Sequence, residues 1–297
     1  MFSKSKLINK ADAVKSRSLA QETWHRLLKN KGAVAGMVFL MVLLTISILA
    51  GHLYNYDRDI ISINMDNMLQ KPSLQHWFGT DNLGRDIFAR ILYGARYSLV
   101  IGVGAVTIGL IIGVTLGAIA GFYGGMVDQI IMRIVDVFYS IPNIMIAVVI
   151  VSLLGTSTVN LLIALCFTCA TSFTRIARAA VMTIRDQQYI EAAYELGLPV
   201  WKIILKHILP NCLSPIIVQV TLLIGTTIIA ASSLSFLGIG VPSPAPEWGA
   251  MLSEGRQYVR EAGYMCVTPG IAIMITVLAL NLLGDGLRDA LDPKMKR

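Results

Sequence analysis

Uncharged apolar runs recur along this chain at about the length a bilayer demands, and they leave few folds open. They fall near residues 34–50, 98–120, 137–154, 159–174, 213–234 and 265–283, and none contains Asp, Glu, Lys, Arg or His. A helix needs ~20 apolar residues to cross ~30 Å of hydrocarbon. Backbone polar groups in lipid must bond within their own segment, which favours helices. The expectation is an all-α membrane protein with six transmembrane helices. A content of 55% hydrophobic and 14% charged residues in 297 agrees with a chain dissolved in lipid rather than water.

Orientation follows from the basic residues. With the amino terminus inside, 18 of the 25 Lys and Arg fall in the tails and inner loops and 7 in the outer segments. Both termini are therefore expected in the cytoplasm. The net charge of +7 is accounted for by this topology, so it gives no reason to invoke nucleic acid. Membrane lipid is the expected surrounding. No small-residue cleavage pattern follows the first run, which is expected to stay as an anchor.

A long segment, residues 51–97, separates the first span from the others. Within it Ile87, Phe88, Ile91, Leu92 and Ala95 share one helical face, and Arg85, Asp86, Arg90, Tyr93 and Arg96 the other. That pattern predicts a helix lying at the membrane interface before the second span, with Asp86 and Arg90 paired at i,i+4. Basic residues on such a helix are ordinarily a solvated face; the alternative is an anion-binding surface formed by the three arginines.

The second span carries small residues at every fourth position: Ala105, Gly109, Gly113, Gly117, Gly121 and Gly125. Such a ladder lets another helix backbone approach closely. The neighbour is either in this chain or in a second subunit. Cys166 and Cys169 form a C-x-x-C in mid-span with no second pair, which reads as packing rather than redox or zinc chemistry.

The charge-free spans argue against a self-powered secondary carrier or channel, because proton relays and counter-ions place ionisable groups within the membrane. The chain also lacks G-x-x-x-x-G-K-[ST], H-E-x-x-H and G-x-S-x-G. Neither nucleotide hydrolysis nor a catalytic constellation is visible, so the chain is expected not to be an enzyme, with no catalytic and no metal residues. A pore remains, or a membrane scaffold, with one large cytoplasmic excursion after the fourth span.

That excursion contains EAAYELGLPVWKIILKHILPN. Asp186 is placed to cap a helix over residues 187–196. Gly197 is placed to end it, and Pro199 to begin a second helix reaching about Ile208, where Pro210 interrupts the ladder. Val200, Ile203, Ile204 and Ile208 form one apolar stripe, with Lys202 and Lys206 opposite. Ala192 and Ala193 offer close approach without bulk. The pattern suits an interfacial hairpin or a docking knob for a soluble partner.

Glu191, Ala192, Ala193, Gly197, Leu209 and Pro210 resemble the EAA motif of bacterial ATP-binding-cassette importer permeases, E-A-A-x3-G-x9-I-x-L-P, except that His207 occupies the isoleucine position. FGTDNLGRD, SFLGIGVPSPAPEWGAML and GDGLRDALDPK further resemble the second permease subunit of dipeptide, oligopeptide, glutathione and nickel importers. The resemblance spans nearly the whole chain after the amino-terminal tail.

The resemblance implies an amino-terminal helix plus a five-helix type I importer core in the bacterial inner membrane. It divides the chain into a cytoplasmic tail (1–31), a first span and outer segment (32–97), a permease core (98–285) with its coupling segment at 186–211, and a second cytoplasmic tail (286–297). It further implies a heterodimer with a homologous second permease subunit, cytoplasmic ATPase subunits that hold the ATP and Mg, and an extracytoplasmic substrate-binding protein. The expected cargo is a small peptide, with nickel or a metal chelate as the alternative. Glu191, Ala192, Ala193 and Gly197 would be the coupling residues, and Leu209 and Pro210 would fix the return to the fifth span.

Overall fold

The computed structural model describes residues 19–291. The expected tail residues 1–18 and 292–297 lie outside the described part. Among the described residues the architecture is helical, with a single isolated bridge between Thr80 and Asp86 and no strand. The helices are α1 (Leu19–Lys29), α2 (Lys31–Leu53), α3 (Ile87–Tyr123), α4 (Gly125–Tyr139), α5 (Asn143–Leu154), α6 (Thr158–Arg185), α7 (Gln188–Glu195), α8 (Val200–Lys202), α9 (Leu213–Phe236), α10 (Trp248–Gly255) and α11 (Tyr264–Leu291). Among the described residues five helical rods are long and apolar enough to cross a membrane: α2, α3, α6, α8 continued into α9, and α11. The bent pair α4 and α5 makes a sixth span when counted as one.

The expected third span, 137–154, is not continuous. The chain turns by 86° between α4 and α5, where Pro142, which has no N–H to continue the helix, stands in extended backbone just before α5. The expected interfacial helix is also not separate. Asp86 caps α3 by accepting from the Ala89 N–H at 2.8 Å, and the helix then runs unbroken for 37 residues, about 55 Å at 1.5 Å per residue. That exceeds a bilayer core, so α3 projects beyond it.

Other spans also overrun their apolar runs. Helix α6 continues past Thr174 to Arg185, and α11 past Leu283 to Leu291, because charged residues end a membrane span without ending a helix. The tail before the first span contains α1, whose Leu27 packs with Ala33 and Ala290 where the ends of α2 and α11 meet. Gly286 lets that contact form: a Cβ there would stand 2.2 Å from the Cβ of Ala33.

The centre of the molecule is the pair α3 and α6. A Cβ on Gly109, Gly113, Gly117 or Gly121 would lie 2.5, 2.4, 2.5 or 2.8 Å from α6 atoms, against Cys169, Ala170, Thr174 and Arg178 in turn. The neighbour left open by the sequence is thus a helix of this chain. Gly125 does not belong to the ladder; it opens α4 with nothing within 4 Å. Cys166 and Cys169 are free thiols buried in this seam, and the Sγ of Cys169 lies 3.4 Å from Thr227 Oγ1 on α9.

Two of the three arginines, Arg85 and Arg90, are not part of a solvated face, whereas Arg96 is exposed. Asp81 Oδ2 accepts from Arg85 Nε at 2.7 Å and from Arg90 Nη1 at 2.5 Å, and Glu254 Oε2 accepts from both guanidinium groups at 2.8 Å. Arg90 is 1% exposed. Asp86 meets His76 Nδ1 at 2.7 Å instead of Arg90. Two acids and two arginines thus neutralise one another and tie α10 to the start of α3. Nearby, the buried Glu247 caps α10 through the Gly249 and Ala250 N–H groups, both at 2.9 Å, and Trp248 donates to the Ile91 carbonyl at 3.0 Å.

Candidate coupling site

At the other end of α3 and α6 the chain forms a knob. Helix α7 begins after Gln187, whose side chain makes no cap; Asp186 turns to Arg185 Nε at 3.2 Å instead of capping as expected. The helix ends with Leu198 N–H bonded to Ala193 O at 3.3 Å and Gly197 N–H bonded to Tyr194 O at 2.9 Å. This paired closure needs a left-handed residue, and Gly197 supplies it with φ of +72°. Pro199 then stands just before α8.

The second half departs from the expected short helix. After α8, residues Ile203–Ile208 widen into a π turn and Leu209–Cys212 tighten into a 3-10 turn, and the rod continues into α9. Pro210 is absorbed rather than breaking the helix, because the wide turn already shifts the bonding pattern at the site of its missing N–H. The widening also bears on His207. Ile203 and Ile208 are fully buried, whereas His207 is half-buried, so Ile208 fills the core position beside the motif's usual isoleucine.

The knob has an inner and an outer face. Ile190, Ala193, Ile203 and Ile208 pack inward with Ala118 of α3 and Val181 of α6, bordered by Phe122, Ile184 and Leu209. Outward stand Glu191, Ala192 and Glu195, and with them Tyr194, Leu196, Trp201 and Leu205. Leu196 is 81% exposed. The two alanines therefore differ: Ala193 is 5% exposed and supports the knob, and Ala192 lies on its surface. Gly197 is exposed, Leu209 half-buried and Pro210 exposed.

The ring of Tyr194 stacks on Phe122, and Arg185 Nη1 donates to the Gly121 carbonyl at 2.8 Å. Arg178 and Asp128 form a two-pronged pair between α6 and α4, and Arg175 bonds Asp136 at 2.5 Å. The knob is thus fastened to the end of the glycine seam. It presents two exposed carboxylates, Glu191 and Glu195, beside an exposed apolar crest. Trp201 and Leu205 escaped notice in the sequence; they stand four apart, off the buried stripe, an apolar pair with no place in the core of this chain.

A separate groove of about 400 Å³ opens between α5, α6 and α9, bordered by Asn143, Thr168, Ser172, Thr226 and Ser233. Its walls are mostly apolar and carry no fixed charge, and the hydroxyls of Ser172, Thr226 and Ser233 donate to carbonyls of their own helices.

Comparison with known proteins places these features in a family context. Residues 113–297 match the family described as binding-protein-dependent transport system inner membrane component, and residues 18–72 match the N-terminal TM domain of oligopeptide transport permease C. The dipeptide transport system permease protein DppC of Alkalihalophilus pseudofirmus is 48% identical, over 93% of this chain and 90% of that one. The glutathione transport system permease protein GsiD of Pectobacterium atrosepticum is 45% identical, over 93% and 91%. Among solved structures, an inward-facing conformation of the MetNI methionine ABC transporter matches with a TM-score of 0.57 at 20% identity, covering 69% of this chain and 98% of that chain. That likeness concerns the fold.

Proposed function

This chain belongs to the family of binding-protein-dependent transport system inner membrane components, the permeases of ATP-binding-cassette importers, and from that premise we propose that it forms half of a translocation pore for small peptides. The observation that carries the reading is the knob: an exposed acidic and apolar crest clamped to the ends of two long helices. A cytoplasmic ATPase docks there, and its closure shifts the balance between inward- and outward-open states because it contacts them differently. The ATPase holds the ATP and Mg; this chain performs no catalysis.

In this reading both termini face the cytoplasm of a bacterial inner membrane, a homologous permease faces this chain across the path, and an extracytoplasmic binding protein delivers cargo. Relatives named for dipeptide and glutathione transport support a peptide cargo. The uncharged groove between α5, α6 and α9 forms one wall of the path. It carries no fixed charge to hold a peptide in passing.

The test is uptake of a labelled dipeptide and of labelled glutathione into proteoliposomes containing the whole importer, with the binding protein supplied. Uptake requires ATP and the ATPase subunits. Accumulation by this chain alone under a proton gradient would establish a secondary carrier instead.

A further inference from the structure

Of the three arginines at the start of α3, two are neutralised by Asp81 and Glu254. The third is not: among the described residues Arg96 forms neither an ion pair nor a hydrogen bond, and its side chain is exposed. It lies at the mouth of a groove of about 690 Å³ between α2 and α3. Leu44, Ile48, Val100 and Val103 form the walls, all of them exposed.

We propose that this groove is a phospholipid site selective for an anionic headgroup, with one acyl chain against α2 and α3 and Arg96 on the phosphate. The chemistry at each depth supports it. Arg96 stands two residues before the uncharged run at 98–120, and His52, at the same mouth, two residues after the run at 34–50. Both therefore stand at headgroup level, above an apolar slot. Small residues make the slot: Ser47, Gly51 and Gly104 open it, and a Cβ on Gly51 would come within 3.2 Å of Arg96 Nη1. The guanidinium thus lies across the bare backbone of α2, where a larger residue would displace it.

A protein occupant would need to bring its own carboxylate to avoid burying Arg96 unpaired. An anionic phospholipid brings phosphate and hydrocarbon in the required order, and a cation at the membrane surface favours it over a zwitterionic one. With the amino terminus inside, the site belongs to the outer leaflet; the choice of lipid class is independent of that orientation.

The experiment uses the complete importer, purified in mild detergent and titrated with phosphatidylglycerol or phosphatidylcholine under native mass spectrometry. Wild type is expected to retain phosphatidylglycerol roughly tenfold better: both lipids offer a phosphate to Arg96, but only phosphatidylcholine places a second cation beside it. Arg96→Gln brings the two lipids near parity, Arg96→Lys keeps part of the preference, and Gly51→Leu lowers it by displacing the guanidinium. Arg58→Gln, at an exposed arginine paired with Asp59, retains the wild-type ratio.

Equal retention by wild type, or an unchanged ratio in Arg96→Gln, overturns the proposal. Should the variants fail to assemble, photoactivatable phosphatidylglycerol on the wild-type importer decides: crosslinks mapping to α2 and the first half of α3 support the site, and crosslinks confined elsewhere refute it. A disulfide joining Val100→Cys to the other permease subunit would show a protein in the groove and also overturn it.

Discussion

The ring of Phe122, at the end of α3, lies stacked on the ring of Tyr194 in α7, with centroids 6.0 Å and planes 8° apart. This is the direct aromatic link between the knob and the helix that runs the depth of the membrane. Tyr194→Ala removes a contact worth about 0.5–1.5 kcal/mol beyond its buried area. The expected outcome is normal insertion and assembly but a lower ratio of peptide imported to ATP hydrolysed, with Tyr194→Phe close to wild type. An unchanged ratio in Tyr194→Ala would show that the stack transmits nothing.

Ala192 and Ala193 are expected to separate docking from folding. Ala192→Trp places a ring on the exposed surface, so thermal stability stays at the wild-type level while ATPase subunits no longer copurify. Ala193→Trp forces a ring into the contact with α3 and α6, at a cost of about 1–3 kcal/mol or more. It lowers the unfolding temperature of the purified permease pair before any question of docking arises. Equal stabilities of the two variants would contradict the assigned faces.

Along the glycine seam, the atom each new methyl group meets sets the order of damage. At Gly113 it meets the Ala170 carbonyl oxygen at 2.4 Å, backbone that cannot move aside; at Gly104 it meets Leu162 Cδ1 at 3.1 Å, the end of a flexible side chain. Gly113→Ala is expected to lower thermal stability by several degrees and Gly104→Ala hardly at all, in detergent unfolding followed by size exclusion. The reverse order would mean that the seam is looser than its geometry.

The knob and the spans were legible in the sequence for different reasons. Lipid forbids charge over a fixed length, so the uncharged runs located the spans; a left-handed turn needs glycine, so Gly197 located the end of α7. Neither rule reaches tertiary pairing. Glu254 is 164 residues from Arg90, and nothing local to Arg90 announces it, so a buried cluster resembled a solvated face. The same holds for Arg175 and Arg178, whose partners, Asp136 and Asp128, stand on α4. The π turn at Ile203–Ile208 left a one-residue trace, the shift of isoleucine from position 207 to 208, whose meaning required the structure.

The cluster of Asp81, Arg85, Arg90 and the half-buried Glu254 predicts an inversion between single and double variants. Arg90→Met leaves Asp81 and Glu254 facing Arg85 alone, an uncompensated buried charge costing about 3–5 kcal/mol. Arg90→Met combined with Glu254→Met leaves Asp81 paired one to one with Arg85. The double variant is therefore expected to unfold at a higher temperature than the single one, and additive losses would rule out charge balance as the cause.

Gly197 gives the sharpest separation of backbone from side chain, because φ is +72° while nothing lies within 4 Å of where a Cβ would stand. Crowding therefore plays no part, and the substitutions are ordered by tolerance of the left-handed region alone. Asn enters that region more readily than other non-glycine residues, Ala pays about 1–2 kcal/mol, and β-branched Val more. Pro locks φ near −65° and also removes the N–H that bonds Tyr194 O at 2.9 Å, so it opens the closure of α7 outright. Uptake by reconstituted importers is expected to fall in the order Gly, Asn, Ala, Val, Pro, with the Pro variant inserted in the membrane but inactive. Should Ala and Asn variants lose uptake as completely as Pro while the permease pair keeps its thermal stability, the absence of a side chain, and not the turn, would be what the ATPase requires at this position.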